Sequence, residues 1–386
     1  MATAYNLTNL KNLLVQKEVK QWMKQDYITR EQFHTIEREY PCSFYHPNMF
    51  IRILLFAATL LGSFGAIGLL ILAMDTGSDD SIAGACVFGG VVSIVLLEIM
   101  ISQGKHYKSG VTEALLYFGV GIIIGGLIVL ANPTTAVTSY VFFFLFLFAA
   151  IRYIDLIATL GTVLSFAFIV FNSLYEMGGF AQQIIPFVMM IVFGLVYFIT
   201  RRARQNDSAQ PWCDALLIIE STSLLIVYCG GNYFVVRELS IEMMELALEE
   251  GQDIPFAWIF YALTVIIPMI YLYFGIVQKN IVLIRVSLIV IAFAVFTFKY
   301  YFSLGHPEIT LTIAGVILVS ISLALLNYLK IVRHGFTREN HLPEKWAGMN
   351  IEAVVISQTL GGNQINVQDA PVKGGDFGGG GSSDSF

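Results

Sequence analysis

Glu220 is the residue whose type and setting point most directly to chemistry, because it stands inside a continuous apolar run, 212–228. Trp212 marks an interfacial position at the start of that run, so Glu220 lies about 12 Å further along a helix, at 1.5 Å per residue. That depth is near the middle of a bilayer. A carboxyl there either meets a cation or keeps its proton, and such groups face cavities or partners because the hydrocarbon penalises them. Proton uptake and release during transport is the chemistry this allows. Ser221, Thr222 and Ser223 follow it directly. Arg285 is the nearest candidate partner by depth, or else its side chain snorkels to the interface. Asp214 lies near the interface and about 120° around the helix, so it does not share a face with Glu220. The competing account of Glu220 is structural: a protonated or ion-paired carboxyl that bonds two helices.

A second group, Glu98, Glu113, Arg152 and Asp155, falls near helix ends that also carry Lys105 and Lys108. Glu113 follows Thr112 in a first turn, where a carboxylate suits the positive end of the helix dipole. The group reads as an interfacial salt-bridge network, with a charged vestibule as the alternative. A third group, Glu242, Glu245 and Glu249, recurs at i, i+3 and i+7 on an expected short helix over 240–250, capped by Ser240 and stopped near Gly251. It would give one acidic face, either a solvated surface or a place for cation capture.

The remaining chemistry-bearing residues exclude more than they suggest. No HExxH, P-loop or nucleophile elbow is present, and none of the six His residues falls mid-span. Gly119-Val120-Gly121 sits inside an apolar run with no preceding strand, so it is no dinucleotide fingerprint. Cys42, Cys86, Cys213 and Cys229 lack metal-ligand spacing. Cys86 and Cys229 map to one side and could pair, or pack as small residues in separate helices. No enzymatic activity, cofactor, metal or nucleic-acid partner is expected.

The elements that must position these residues are membrane helices. With 56% hydrophobic and only 13% charged residues, the chain exceeds the apolar content of soluble domains. A hydrocarbon core about 30 Å thick needs roughly 20 helical residues. Continuous apolar runs predict ten spans: 50–74, 82–101, 111–131, 135–151, 154–174, 184–200, 212–228, 254–277, 281–300 and 309–329. Lys105, Lys108, Arg152, Arg201, Arg202, Arg204 and Lys279 occupy alternate gaps, which the positive-inside rule assigns to the cytoplasm together with both ends. Arg152-Tyr153-Ile154-Asp155 supplies neither Gly nor Pro for a turn. A single helix over 135–174 would nevertheless be about 60 Å long, twice the core thickness. Ten spans follow, with nine as the alternative. Gly121 and Gly125 have the GxxxG spacing that lets helices approach.

Three regions result: a cytosolic helical hairpin over 1–49, a transmembrane domain over 50–330 and a cytosolic tail over 331–386. The polar first 49 residues hold no cleavable signal peptide. Leu10, Leu13, Leu14, Val19 and Trp22 offer an apolar stripe on a helix from Leu7 to about Gln25. Thr29 and Gln32 have capping-box spacing for a second helix that Pro41 ends. The tail is rich in glycine, including Gly378 to Gly381, and carries too little apolar surface to order itself.

The hairpin, its connecting Asp26-Tyr27-Ile28-Thr29-Arg30-Glu31-Gln32, and the first span's Leu61-Gly62-Ser63-Phe64-Gly65-Ala66-Ile67-Gly68 resemble the bacterial membrane proteins grouped as domain of unknown function 2157. The likeness covers at most about the first 130 residues. An Asn-Trp often found after the first span in that family is replaced by Ala73-Met74-Asp75-Thr76. The resemblance implies a bacterial inner-membrane protein and transfers no activity.

Two function classes remain. A transporter or permease for a small solute or proton gains from ten spans, the carboxyl at Glu220, and Pro255 and Pro268 in the eighth span. Two halves of five would have opposite topology, as inverted repeats require, yet the halves share no visible sequence similarity. A sensor or scaffold would instead use the hairpin and tail to engage cytosolic proteins.

Overall fold

The computed structural model describes residues 3–24, 27–45, 47–74, 78–243 and 253–301, with helical residues 312, 315–316, 319–320, 323 and 327 beyond them. The expected tenth span over 309–329 lies outside the described residues except for these seven positions, and the tail, Glu245 and Glu249 lie outside them entirely.

The described chain is all-α and polytopic. Its helices are α1 Leu7–Lys24, α2 Arg30–Glu39, α3 Met49–Ala73, α4 Asp79–Ser102, α5 Val111–Ala131, α6 Thr135–Tyr153, α7 Leu156–Met177, α8 Phe180–Arg204, α9 Cys213–Gly231, α10 Tyr233–Glu242, α11 Ala257–Val277 and α12 Ile281–Tyr301. Among the described residues, nine helices are long and apolar enough to cross a membrane, namely α3 to α9, α11 and α12. The chain is therefore a multi-pass membrane protein.

The spans divide where expected, including the pair without Gly or Pro. Ile154 turns the chain with φ 53°, and Asp155 caps α7 by accepting from the Ala158 N–H at 2.8 Å. A left-handed conformation costs a β-branched residue about 1–2 kcal/mol. Ile154 is buried in the apolar cluster of α4 to α7, and its packing there offsets the strain.

Sequential helices pack as antiparallel neighbours: α4 with α5, α6 with α7, α8 with α9, and α11 with α12. Glycines set the closest approach, but not the expected pair. A Cβ on Gly90 would stand 2.8 Å from the Gly119 carbonyl oxygen, and one on Gly126 2.7 Å from that of Ala83. These contacts bring α4 and α5 together. Gly121 and Gly125 face open space, so their GxxxG spacing joins no helices among the described residues.

The N-terminal hairpin forms as its sequence indicates. Thr29 and Gln32 make the reciprocal capping box of α2, and Asn12 and Gln16 of α1 donate to the Pro41 and Tyr40 carbonyls at 2.8 and 2.7 Å. Leu10, Leu13 and Val19 are buried, whereas Trp22 is exposed. The hairpin is fastened to the membrane helices at two places. The Ala4 N–H donates to the Arg152 carbonyl at 2.8 Å, and Tyr45 exchanges backbone hydrogen bonds with Lys105 and Tyr107. Tyr5, Phe44 and Tyr107 pack their rings together beneath it.

Two local expectations are corrected. The helix expected to begin at Ser240 starts at Tyr233, because Asn232 caps it by accepting from the Val235 N–H at 3.2 Å. Ser240 lies inside α10 and its hydroxyl donates back to the Val236 carbonyl. Pro255 precedes α11 rather than interrupting it, which leaves Pro268 as the proline inside that helix.

Candidate functional site

The site is built where α8, α9 and α12 meet on the hairpin side. α8 does not end at Thr200 but runs to Arg204, so Arg201, Arg202 and Arg204 form its last turn. Cations suit the negative end of the helix dipole. Helical side chains lean toward the N-terminus, which for a C-terminal arginine means back into the bundle. Arg204 follows that course and places its Nη2 at 3.1 Å from Oε2 of Glu220.

Glu220 is fully buried. Its other oxygen, Oε1, accepts a long hydrogen bond of 3.4 Å from the Asn280 side chain. Asn280 stands in the turn between α11 and α12, where its own oxygen accepts from the Val282 N–H at 3.0 Å. The amide is thereby held in place for Glu220. The Arg204 contact is an ion pair without an aligned hydrogen bond: the charges meet at 3.1 Å, yet Oε2 has no directed donor among the described residues. One turn on, Ser223 is also fully buried, and its hydroxyl has no hydrogen-bond partner among the described residues.

Neighbouring contacts tie the helices around this group. The Tyr271 hydroxyl donates to the Leu224 carbonyl at 3.0 Å, tying α11 to α9. Arg201 donates to the Tyr197 hydroxyl at 2.8 Å and so is engaged apart from Glu220.

These contacts bear on Arg285 and on the setting of Glu220. Arg285 is exposed on α12 and forms no ion pair among the described residues. Depth along the sequence placed it near Glu220, but its position around the helix turns it away. Glu220 itself meets the last residue of α8 and the residue before α12, so it packs against helix ends. Asp214 is exposed in the first turn of α9, away from Glu220 as its angular position requires.

The expected charge cluster resolves into three joints on the same face. Arg152 makes a two-pronged contact with Glu98 at 2.8 and 3.0 Å, and Tyr153 donates to the same carboxylate at 2.9 Å. Glu113 pairs with Arg52 and accepts from the Gly110 N–H and the Thr112 hydroxyl at 2.8 and 2.9 Å. Asp155 accepts from Tyr117 at 2.8 Å while capping α7. Every carboxylate has a local structural duty, as the salt-bridge network requires. Burial, with the negative charges of Asp214 and Glu113, pushes the Tyr107 phenol up to about 12.

At the opposite ends of α9 and α12 lies a polar cluster that the sequence did not reveal. Asn232 is fully buried and its amide donates to Tyr228 and Thr297 at 2.8 and 3.0 Å. Asp253 accepts from the Tyr233 hydroxyl at 2.8 Å, and Tyr301 donates to Glu238 at 2.7 Å. Arg237 lies over the Tyr301 ring at 5.2 Å. Glu242, the described member of the expected acidic face, ends α10.

All four cysteines are free thiols, so Cys86 and Cys229 are unpaired. No three His, Cys, Asp or Glu residues are grouped to hold a metal among the described residues. A groove of about 650 Å³ between α6 and α7 is lined by Phe142, Phe146, Phe168, Thr138 and Ser165. It is mainly apolar and distant in sequence from Glu220, and its hydroxyls donate to their own helices.

No family model, curated protein or solved structure matches this chain.

Proposed function

We propose that this multi-pass protein is a transporter or permease for a small solute or ion, with Glu220 as the exchangeable carboxyl. The observation that carries the proposal is the incomplete satisfaction of a fully buried carboxylate, which among the described residues has one charge contact from Arg204 and one long hydrogen bond from Asn280. A purely structural buried acid is ordinarily saturated with donors, as Glu113 is. The loosely held acid beside an unpartnered serine suits a group that changes partners. Arg204 is about a quarter exposed, so it can leave without dragging a charge through the core. We place the hairpin and the basic turns in the cytoplasm of a bacterial inner membrane, supported by the positive-inside rule and by the resemblance of the N-terminal region. The activity is taken to be non-enzymatic.

A sensor or scaffold role has its own support in the docked hairpin. Its Ala4 N–H bonds Arg152 directly, so a cytosolic partner pulling on α1 would load the turn between α6 and α7.

Thermal stability of the purified full chain, measured across pH and against a panel of ions and small solutes, tests the proposal. A ligand or proton that stabilises wild type but not Glu220→Gln is the expected outcome. Identical responses from both proteins would transfer the role to the hairpin and tail. Reporter fusions after Arg204 and after Gly251 check the orientation, with cytosolic activity at the first position and periplasmic activity at the second.

A further inference from the structure

We propose that Glu220, Ser223 and Asn280 form a site for a monovalent alkali cation, which competes with the Arg204 guanidinium for the carboxylate. The inference rests on the exchangeable carboxyl proposed above and names its ligand. Two independent observations point to it. Among the described residues Glu220 Oε2 lacks a directed donor and the Ser223 hydroxyl lacks a partner, although both residues are fully buried and sit one turn apart on one face of α9. Buried polar atoms are ordinarily satisfied, so two orphan oxygens on adjacent turns mark a place where something accepts their lone pairs.

Charge and ligand chemistry define that occupant. The side chains available to the site are the Glu220 carboxylate, the Ser223 hydroxyl one turn on along α9, and the Asn280 amide, whose oxygen can join if its bond to the Val282 N–H opens. Hard oxygens select hard cations over transition metals. A single carboxylate balances one positive charge, and no group of three or more His, Cys, Asp or Glu residues gathers there among the described residues. A divalent ion would leave an uncompensated buried charge, so the site fits a monovalent ion. Arg204 already supplies that charge at 3.1 Å. Cation and guanidinium therefore exclude each other: when the ion enters, Arg204 swings toward the hairpin side, and when it leaves, Arg204 returns as a tethered substitute. Charge balance holds in both states.

The test is sodium, lithium and potassium chloride titration of the full chain in nanodiscs at pH 8, with choline chloride as the ionic-strength control and melting temperature as the readout. Wild type should show saturable stabilisation by at least one alkali cation. Arg204→Gln removes the competitor, so its apparent affinity should rise about tenfold or more, and the cation should restore stability that the substitution removes. Ser223→Ala should weaken binding severalfold, and Glu220→Gln should abolish it. Should Glu220→Gln fail to fold, the opposite shifts of Arg204→Gln and Ser223→Ala still decide the matter. Rescue of Arg204→Gln by lowered pH alone, with no response to any alkali ion, would overturn the cation site and leave a proton carrier in its place. Saturable binding without solute or ion flux would instead uphold the site and sink the transport proposal.

Discussion

Arg204 and Glu220 form an unequal pair: the guanidinium is about a quarter exposed at the end of α8, whereas the carboxylate 3.1 Å away is fully buried. The inequality predicts unequal substitutions. Arg204→Gln strands a buried negative charge and should cost about 3 kcal/mol, the lower end for breaking a buried pair, because part of the arginine is hydrated. Glu220→Gln keeps the shape and removes the charge, and should cost about half as much or less. Thermal unfolding of both single variants and the double variant in detergent gives the comparison. Equal losses would contradict the inequality, because removing the guanidinium would then strand no more charge than removing the carboxylate.

Arg152 reaches Glu98 through two nitrogens, while its backbone carbonyl receives the Ala4 N–H. Lysine cannot reproduce a two-pronged contact. Arg152→Lys should therefore lower stability by about 1 kcal/mol, a modest figure because both side chains are roughly one-third exposed. Limited proteolysis of the hairpin should accelerate in step, since the same turn fastens residue 4.

Gly110 and Gly121 should respond in opposite directions to alanine. Gly110 has φ 91°, and a Cβ there would collide with the Arg52 carbonyl. Gly110→Ala should cost about 2 kcal/mol or more. Gly121→Ala meets nothing within 4 Å, and should gain up to about 1 kcal/mol from helix propensity alone. Melting temperatures of the two variants in one detergent provide the readout.

His106 should give the hairpin junction an acid-sensitive edge. Burial holds its pKa below the ordinary 6.5, so the folded chain binds fewer protons than the unfolded chain in that window. Stability then rises with pH across it. The contribution is complete above about 6.5, falls as the pH drops below that value, and levels off once the folded imidazole is also protonated. Amide exchange at Tyr107, whose N–H donates to the Tyr45 carbonyl, should accelerate over that range in wild type and lose the dependence in His106→Gln.

The spans were legible because hydropathy and the 30 Å core fix helix length almost independently of packing. The caps at Thr29, Asp155 and Glu113 are local chemistry, so residue type and spacing sufficed for Thr29 and Glu113. What escaped was orientation about helix axes. Arg285 and Arg204 both lie on helices packed against α9, but only packing decides which one turns toward Glu220. Arg204 was hidden because a run of arginines reads as a loop when it is the last turn of α8. Arg52, the partner of Glu113, carried a visible signal: an arginine just inside the first apolar run. Asn232 and Asn280 are single amides at helix starts, and their long-range roles with Thr297 and Glu220 leave no pattern in one sequence.

Flux into proteoliposomes tests the central claim most directly. Purified wild type, Glu220→Gln and Arg204→Gln would be reconstituted at equal density, with proton or alkali-ion entry followed by trapped fluorescent indicators under an imposed gradient. An exchangeable carboxyl predicts saturable entry in wild type, loss to the empty-vesicle rate in Glu220→Gln, and altered ion dependence in Arg204→Gln. Equal entry in wild type and Glu220→Gln would contradict it and reduce Glu220 to a structural tie between α8, α9 and α12.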